Sequence, residues 1–145
     1  MPEAYAEVSS MRGEQFKFER NDCTVIAFSK VTGMEYAQAH RIFQLFGRKH
    51  GRGATTAKLL EFISANANVL AALKINVKDY LFTSVPPEHM PTTLYHLRHS
   101  ANQYPGRYLV KINRHVFAMI DGRITDDASY MEAVIGMWKF ENLGE

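Results

Sequence analysis

The chain has 145 residues, of which 46% are hydrophobic and 22% are charged, and its formal net charge is +2. A chain of this length buries about two-thirds of the surface that its unfolded form exposes, so it can fold as one domain without a disulfide or a metal. The small net charge does not indicate a nucleic-acid-binding protein. No segment approaches the length of a membrane span, about 20 apolar residues. The single cysteine excludes an internal disulfide and is typical of a reducing compartment.

The sequence shows no basic segment followed by an apolar run at its start, so no signal peptide and a cytoplasmic location are expected. A single domain is expected to cover residues 1–145, with the polar residues 1–13 as a flexible arm. Charge is unevenly spread, because residues 41–60 hold five basic and no acidic residues, whereas residues 121–145 hold six acidic and two basic residues. The domain is therefore expected to be electrically polarised.

The first half of the chain carries helical signals. A helix is expected to begin near Cys23, after two residues with good N-cap side chains, and to stop at Gly33. Apolar residues at helical spacing predict a second helix that ends at Gly47. A third helix is expected to begin after Thr55 or Thr56, and a short helix is expected over about 92–100.

The second half changes to the alternating pattern of strands. The pair Asp121-Gly122 is typical of a type I′ hairpin turn, because both central residues of that turn have positive φ. The combination predicts an α+β architecture, with N-terminal helices packed on a C-terminal antiparallel sheet of about four strands in a meander. The predicted strands cover 108–112, 116–120, 123–125 and about 133–140.

Cys23 is the first candidate for a chemical role. At the start of a helix, unpaired N–H groups and the helix dipole favour an anion, which lowers the pKa of a thiol. The same N–H groups can line an oxyanion site. Such a cysteine acts as a nucleophile when a histidine serves as its base. The alternative is that Cys23 is a small buried hydrophobic residue, which is the commoner role of a lone cysteine.

His115 differs from the other histidines because it is predicted to start a strand directly after a tight break, and a strand is a stiff support for a catalytic imidazole. The alternative is a partly buried histidine on an edge strand. The remaining histidines, which are expected on solvated helices or in loops, are His40, His50, His89, His96 and His99.

The register of the predicted hairpin brings an acidic residue towards His115. With residues 121–122 as the loop, Phe117 faces Asp126, so Asp126 and His115 lie on one face of the sheet as diagonal neighbours, about 7–8 Å apart. A carboxylate there can orient the imidazole and fix its tautomer. A slip of one residue would put Asp127 in this place. The alternative is an acidic strand end exposed to solvent.

The ordered set of these residues resembles the compact papain-like cysteine peptidase fold found in many small bacterial and phage proteins. The resemblance covers about residues 15–140. It implies a hydrolase that cleaves a peptide, isopeptide or amide bond of a protein or peptide substrate through an acyl-thioester, with no cofactor and no metal. The segments that carry it are Asn21-Asp22-Cys23-Thr24-Val25, Gly106-Arg107-Tyr108-Leu109-Val110, His115-Val116-Phe117-Ala118-Met119-Ile120-Asp121-Gly122, Asp126 and Gly136-Met137-Trp138.

The resemblance implies Cys23 as the nucleophile, His115 as general base and then acid, and Asp126 as the residue that orients the imidazole. Papain-like enzymes usually carry an oxyanion-stabilising glutamine six residues before the nucleophile, where this chain has Lys17. Asn21 is a nearby amide that can substitute for that glutamine. The departure motivates a second interpretation, a catalytically inactive papain-like binding module encoded by a phage.

Two further features are candidates for substrate binding. The basic, glycine-rich loop at 47–53 carries Arg48 and Arg52, and it is a solvated connector, a phosphate contact or a lip for an acidic substrate segment. The loop lacks a P-loop pattern and interleaved aromatic residues, so nucleic acid is not the expected partner. Trp138 is a core residue or a shield that keeps water from the histidine–carboxylate hydrogen bond, since a meander would place the last strand beside Asp126.

Overall fold

The structure is a computed structural model that describes residues 23–45, 79–113, 115–124 and 132–144. Within these ranges the chain is α+β, with helices and a five-stranded antiparallel sheet. None of the helices in these ranges has the length and apolar character needed to cross a bilayer. The α-helices are α1 (Cys23–Thr32), α2 (Tyr36–Leu45) and α3 (Leu94–His99), and two short 3-10 helices cover Pro87–His89 and Ala101–Gln103. The strands are β1 (Tyr80–Ser84), β2 (Arg107–Ile112), β3 (His115–Ile120), β4 (Arg123–Ile124) and β5 (Gly136–Asn142).

The sheet has the strand order β1-β5-β2-β3-β4, and every neighbouring pair is antiparallel. The prediction of about four strands is therefore wrong, because β1 adds a fifth. Its sequence gives a weak strand signal, since Tyr80, Leu81 and Phe82 form a short apolar run without alternation. The prediction of a simple meander is also wrong, because β5 lies between β1 and β2 and not beside β4. Strands that follow each other in sequence are neighbours in only about two-thirds of cases.

Helix α1 lies along one face of this sheet. Its residues Ala27 and Val31 pack in one apolar cluster with Leu109 of β2 and with Val116 and Ala118 of β3. The guanidinium of Arg107, at the start of β2, donates to the backbone oxygen of Val31 at 3.4 Å. The C-terminal end of α1 therefore lies at the Arg107 end of the sheet, and Cys23 lies at the opposite end.

The other helices cover the outside of α1 and the second face of the sheet. Phe28 of α1 meets Phe43 of α2 edge to face, with ring centroids 5.7 Å apart, and stacks on Phe82 of β1 at 5.9 Å. Leu94 and Leu97 of α3 pack on the opposite face of the sheet. The expected packing of helices on the sheet is thus observed, with α1 and α3 on different faces.

Two connections follow the sequence signals closely. Helix α1 ends at Thr32, and Gly33 has φ +76° and donates its N–H to the Ser29 oxygen at 3.0 Å, which is a left-handed helix cap. Asp121 and Gly122 have φ +50° and +81°, as a type I′ turn requires. The third helix predicted after Thr55 or Thr56 and the arm at 1–13 lie outside the described residues.

Candidate functional site

The structure brings the side chains of Cys23 and His115 into hydrogen-bond contact. Cys23 is the first residue of α1, and His115 is the first residue of β3. The two meet because α1 packs along the sheet with its N-terminal end beside the beginning of β3. The backbone N–H of Val116 also donates to the sulfur, and the Thr24 hydroxyl lies 4.0 Å from it.

Opposing influences act on the pKa of the Cys23 thiol. Burial is the largest of them, and it raises the pKa because a thiolate loses hydration. The hydrogen bond with His115, the N–H of Val116, the positive charge of a protonated imidazole and the Thr24 hydroxyl all lower it. Together these four outweigh burial, so the pKa lies below its ordinary value. The Cys23 side chain is only half-buried, so a reactant from solvent can approach it.

The start of α1 adds backbone donors to the site. The first N–H groups of a helix have no partner within the helix, and they point outwards at its N-terminal end. The first turn of α1 contains no acidic residue. N–H groups in such a position are of the kind that stabilise negative charge on an oxygen that develops beside a nucleophile.

Trp138 lies on the same face of the sheet as α1, but not beside the strand that leads to Asp126. It is on β5, which β2 and β3 separate from β4, so the last strand does not pair with β4 as the predicted meander requires. Asp126 itself lies outside the described residues. The indole is half-buried and folds back over Gly136, where an added Cβ atom would lie 3.0 Å from the ring. Cys23 and Trp138 both pack against the apolar cluster beneath α1.

The hairpin register agrees with the sequence as far as the structure describes it. Ile120 pairs with Arg123 and Met119 pairs with Ile124, as expected for a loop at 121–122. Continuing this register by two pairs would place Asp126 opposite Phe117, which stays a prediction. The predicted site residues that lie outside the described ranges are Asn21, Arg48, Arg52, Asp126 and Asp127.

One histidine departs from its expected environment. His40 was expected on a solvated helix face, but it is only 1% exposed and its ring lies 5.8 Å from that of Tyr36. The expectation is wrong because His40 lies one turn after Tyr36, on the side of α2 that faces the core. His89, His96 and His99 are exposed, as expected, and His50 lies outside the described residues.

Sequence reasoning missed two groups that lower the pKa of the Cys23 thiol. The backbone N–H of Val116 and the hydroxyl of Thr24 follow His115 and Cys23 by one position, so their proximity is a by-product of the pair. Sequence reasoning also missed Lys111, which lies in β2 opposite Val116. A lysine between Val110 and Ile112 in an apolar strand was the available signal.

Within the described part of the chain, no cluster of three or more histidine, cysteine, aspartate or glutamate residues could hold a metal ion. Comparison of the chain with protein-family models, with curated proteins and with solved structures finds no match. The chemical interpretation of the site therefore depends on its own geometry.

Proposed function

We propose that this protein is a cysteine-dependent hydrolase with a papain-like fold, which cleaves a peptide, isopeptide or amide bond of a protein or peptide substrate in the cytoplasm. The observation that carries the proposal is the hydrogen bond between the side chains of Cys23 and His115. A thiol beside an imidazole, at the N-terminal end of a helix, combines an activated nucleophile with a proton donor and acceptor.

The reaction follows from the positions of these groups. The Cys23 thiolate attacks the carbonyl carbon of the substrate and forms a carbon–sulfur bond, while N–H groups at the start of α1 stabilise the negative oxygen. Protonated His115 then donates its proton to the leaving amine as the carbon–nitrogen bond breaks. Neutral His115 next takes a proton from water, which attacks the acyl-thioester. The acid is released, and the thiolate–imidazolium pair forms again.

The environment of His115 supports its use in both steps. Its ring lies 6.1 Å from that of Phe117, the next residue on the same side of β3, so the imidazole has an apolar neighbour that limits its movement. In this proposal the carboxylate of Asp126 orients the second nitrogen of the ring. The extrapolated hairpin register and the resemblance to papain-like enzymes support that role.

The test is the pH dependence of the alkylation of Cys23 by iodoacetamide, in the wild type and in His115→Ala. Because the lowered pKa keeps the thiolate populated, the wild type should react at half its maximal rate well below the value of about 8.5 for a free thiol. His115→Ala removes two of the four lowering influences but leaves the burial. Its half-maximal rate should therefore move to higher pH.

Hydrolysis is tested separately with a library of peptide and isopeptide substrates. Cys23→Ala should abolish turnover while its circular dichroism spectrum stays that of the wild type. If the two alkylation profiles coincide with that of a free thiol, the enzyme proposal is wrong. Lys17, at the position of the usual glutamine, favours the second candidate, an inactive papain-like binding module. For that module we expect an unreactive Cys23 and a partner that Cys23→Ala still binds.

A further inference from the structure

Lys111 places a cation close to the Cys23–His115 pair. It lies on β2 directly opposite Val116, whose N–H donates to the Cys23 sulfur. Leu109, two positions earlier on the same strand, packs in the cluster beneath α1, so the Lys111 side chain also leaves the sheet on the α1 face. The ammonium nitrogen lies 3.5 Å from the backbone oxygen of Ile112, and Ile112 pairs with His115. The cation therefore lies at the end of the sheet where the thiol and the imidazole meet.

Trp138 lies on the strand next to Lys111, on the same face of the sheet. Gly136 is the partner of Lys111 on the β5 side, and the Trp138 indole folds over Gly136. Lys111 thus lies between the indole on one side and Val116 on the other. Because Gly136 has no side chain, the indole can occupy the space above it. This arrangement makes a short surface on the α1 face of the sheet, with a cation next to an apolar ring, at the end of the sheet where Cys23 lies.

Among the residues that the structure describes, no acidic group neutralises the charge of Lys111. Within the described ranges its ammonium contacts a backbone carbonyl and forms an ion pair with no carboxylate. The side chain is half-buried, so water screens its charge less than that of a fully exposed lysine. A negatively charged substrate group would be repelled by the Cys23 thiolate, and a cation in this position offsets that repulsion.

We infer that Lys111 and the indole of Trp138 form a subsite for a carboxylate carried by the substrate residue next to the scissile bond. The inference rests on the proposed function, since Cys23 supplies the reacting atom. It narrows the substrate class to acidic peptides or amides, in which an aspartyl, glutamyl or terminal carboxylate lies within reach of the ammonium. The apolar stem of that residue packs against the indole.

The experiment compares two alkylating reagents that differ in charge, iodoacetate and iodoacetamide. Rates of Cys23 alkylation are measured at about pH 9.5, where a free thiol is ionised and a lysine is still protonated. In the wild type the cation attracts iodoacetate, so Lys111→Met should lower the ratio of the iodoacetate rate to the iodoacetamide rate by about three- to tenfold. Lys111→Arg retains the charge and should retain the ratio.

Lys139→Met is the matched control. Lys139 is also on the sheet, but it is opposite Tyr108 and its side chain leaves the other face, since it alternates with Trp138 and Phe140. It should leave the ratio unchanged. Raising the salt concentration from about 0.05 to 0.5 M should lower the wild-type ratio but not that of Lys111→Met. Lys111→Gln provides the same comparison if Lys111→Met does not fold.

The test of the Lys111 subsite can fail independently of the test of the proposed function. At this pH the thiol is ionised whether or not His115 activates it, so the ratio reports only on the charge near the sulfur. A failure of the proposed function would appear in the pH profile of iodoacetamide alone. If removing the Lys111 charge leaves the ratio of the folded protein unchanged, or if Lys139→Met lowers it equally, the subsite does not exist.

Discussion

Burial disfavours the charged thiolate form of Cys23, whereas the polar groups around the sulfur favour it. His115 supplies both a hydrogen bond and a charge, whereas Thr24 supplies one distant hydroxyl and the smallest of the lowering influences. Substitutions of these groups are therefore expected to raise the pKa of the Cys23 thiol by different amounts. A group that acts through charge and hydrogen bonding should matter more than one that acts through a single long contact.

We expect Thr24→Val to raise the pKa of the Cys23 thiol, but by less than His115→Ala does. Valine keeps the shape of threonine and removes only the hydroxyl. The measurement is the ultraviolet absorbance of the thiolate as a function of pH in the three proteins, with Cys23→Ser as the blank. A larger change for Thr24→Val than for His115→Ala would contradict the assignment of His115 as the main partner.

The contact between Cys23 and His115 could be anticipated because the local sequence marks each of the two residues. Cys23 follows two good N-cap residues, and His115 follows a tight break between two apolar strands. The buried environment of His40 was not predictable from polarity, since it depends on which side of α2 meets α1. The position of Trp138 was not predictable either, because it depends on which strands β5 pairs with.

At the scale of elements, α1 is the most enclosed helix of the described chain. It is packed between the sheet and α2, and seven of its ten residues are buried. Phe28 is at the centre of this packing, in contact with a ring from α2 and a ring from β1. The helix that begins at Cys23 is therefore fixed from two sides.

Phe28→Ala should lower the free energy of unfolding by about 3–5 kcal/mol, because it leaves a cavity where three elements meet. Urea denaturation followed by tryptophan fluorescence measures this loss. Tyr95→Ala is the aromatic control: Tyr95 is on the surface of α3 and 51% exposed, so its removal should change stability by no more than about 0.5 kcal/mol. Equal losses in the two variants would show that α1 is not packed as described.

Gly33→Ala should destabilise the protein by about 1 kcal/mol, because φ at this position is in the left-handed region that a Cβ atom disfavours. An added Cβ atom would meet no other atom within 4 Å, so the loss is conformational and not steric. Gly33→Asn should lose less, since asparagine tolerates this region better. The stabilities of both variants are compared by thermal unfolding. If the loss came from a steric clash, the larger asparagine would destabilise the protein more than alanine does.

At the scale of the whole molecule, the sheet has two chemically different ends. At one end are Cys23, His115 and Lys111. At the other end the Arg107 guanidinium lies 5.8 Å from the centre of the Phe140 ring and bonds to the Val31 oxygen at the last turn of α1. Because α1 rises about 1.5 Å per residue, these two ends are about 12 Å apart along the helix.

Arg107→Met should therefore lower the stability of the protein without changing the reactivity of Cys23. It removes a cation over an aromatic ring and a hydrogen bond, so we expect the free energy of unfolding to fall by about 1–2 kcal/mol. The rate and pH profile of Cys23 alkylation should stay those of the wild type. A shifted profile would indicate that the position of α1 as a whole depends on its C-terminal end.

The α+β class and most of the element boundaries could be predicted from the sequence, since amphipathic spacing, glycine caps and the Asp121-Gly122 turn are local signals. The strand order could not be predicted, because it is decided by long-range pairing. Strand β1 adds to β5, and β5 adds to β2, across gaps of about fifty and twenty-five residues. The residues near the Asp121-Gly122 turn carry no signal for either pairing.

The central position of β5 has a consequence for how the protein is made. Before residue 136 is translated, Cys23 and His115 are already part of the nascent chain, but β5, the strand that pairs with β1, is not yet made. The ladder that joins β1 to β2 forms only when β5 is inserted between them. Such non-local pairing is slow compared with helix formation. We therefore expect the nascent chain to carry its thiol and imidazole without the frame that holds them together, so that reactivity appears only late in synthesis.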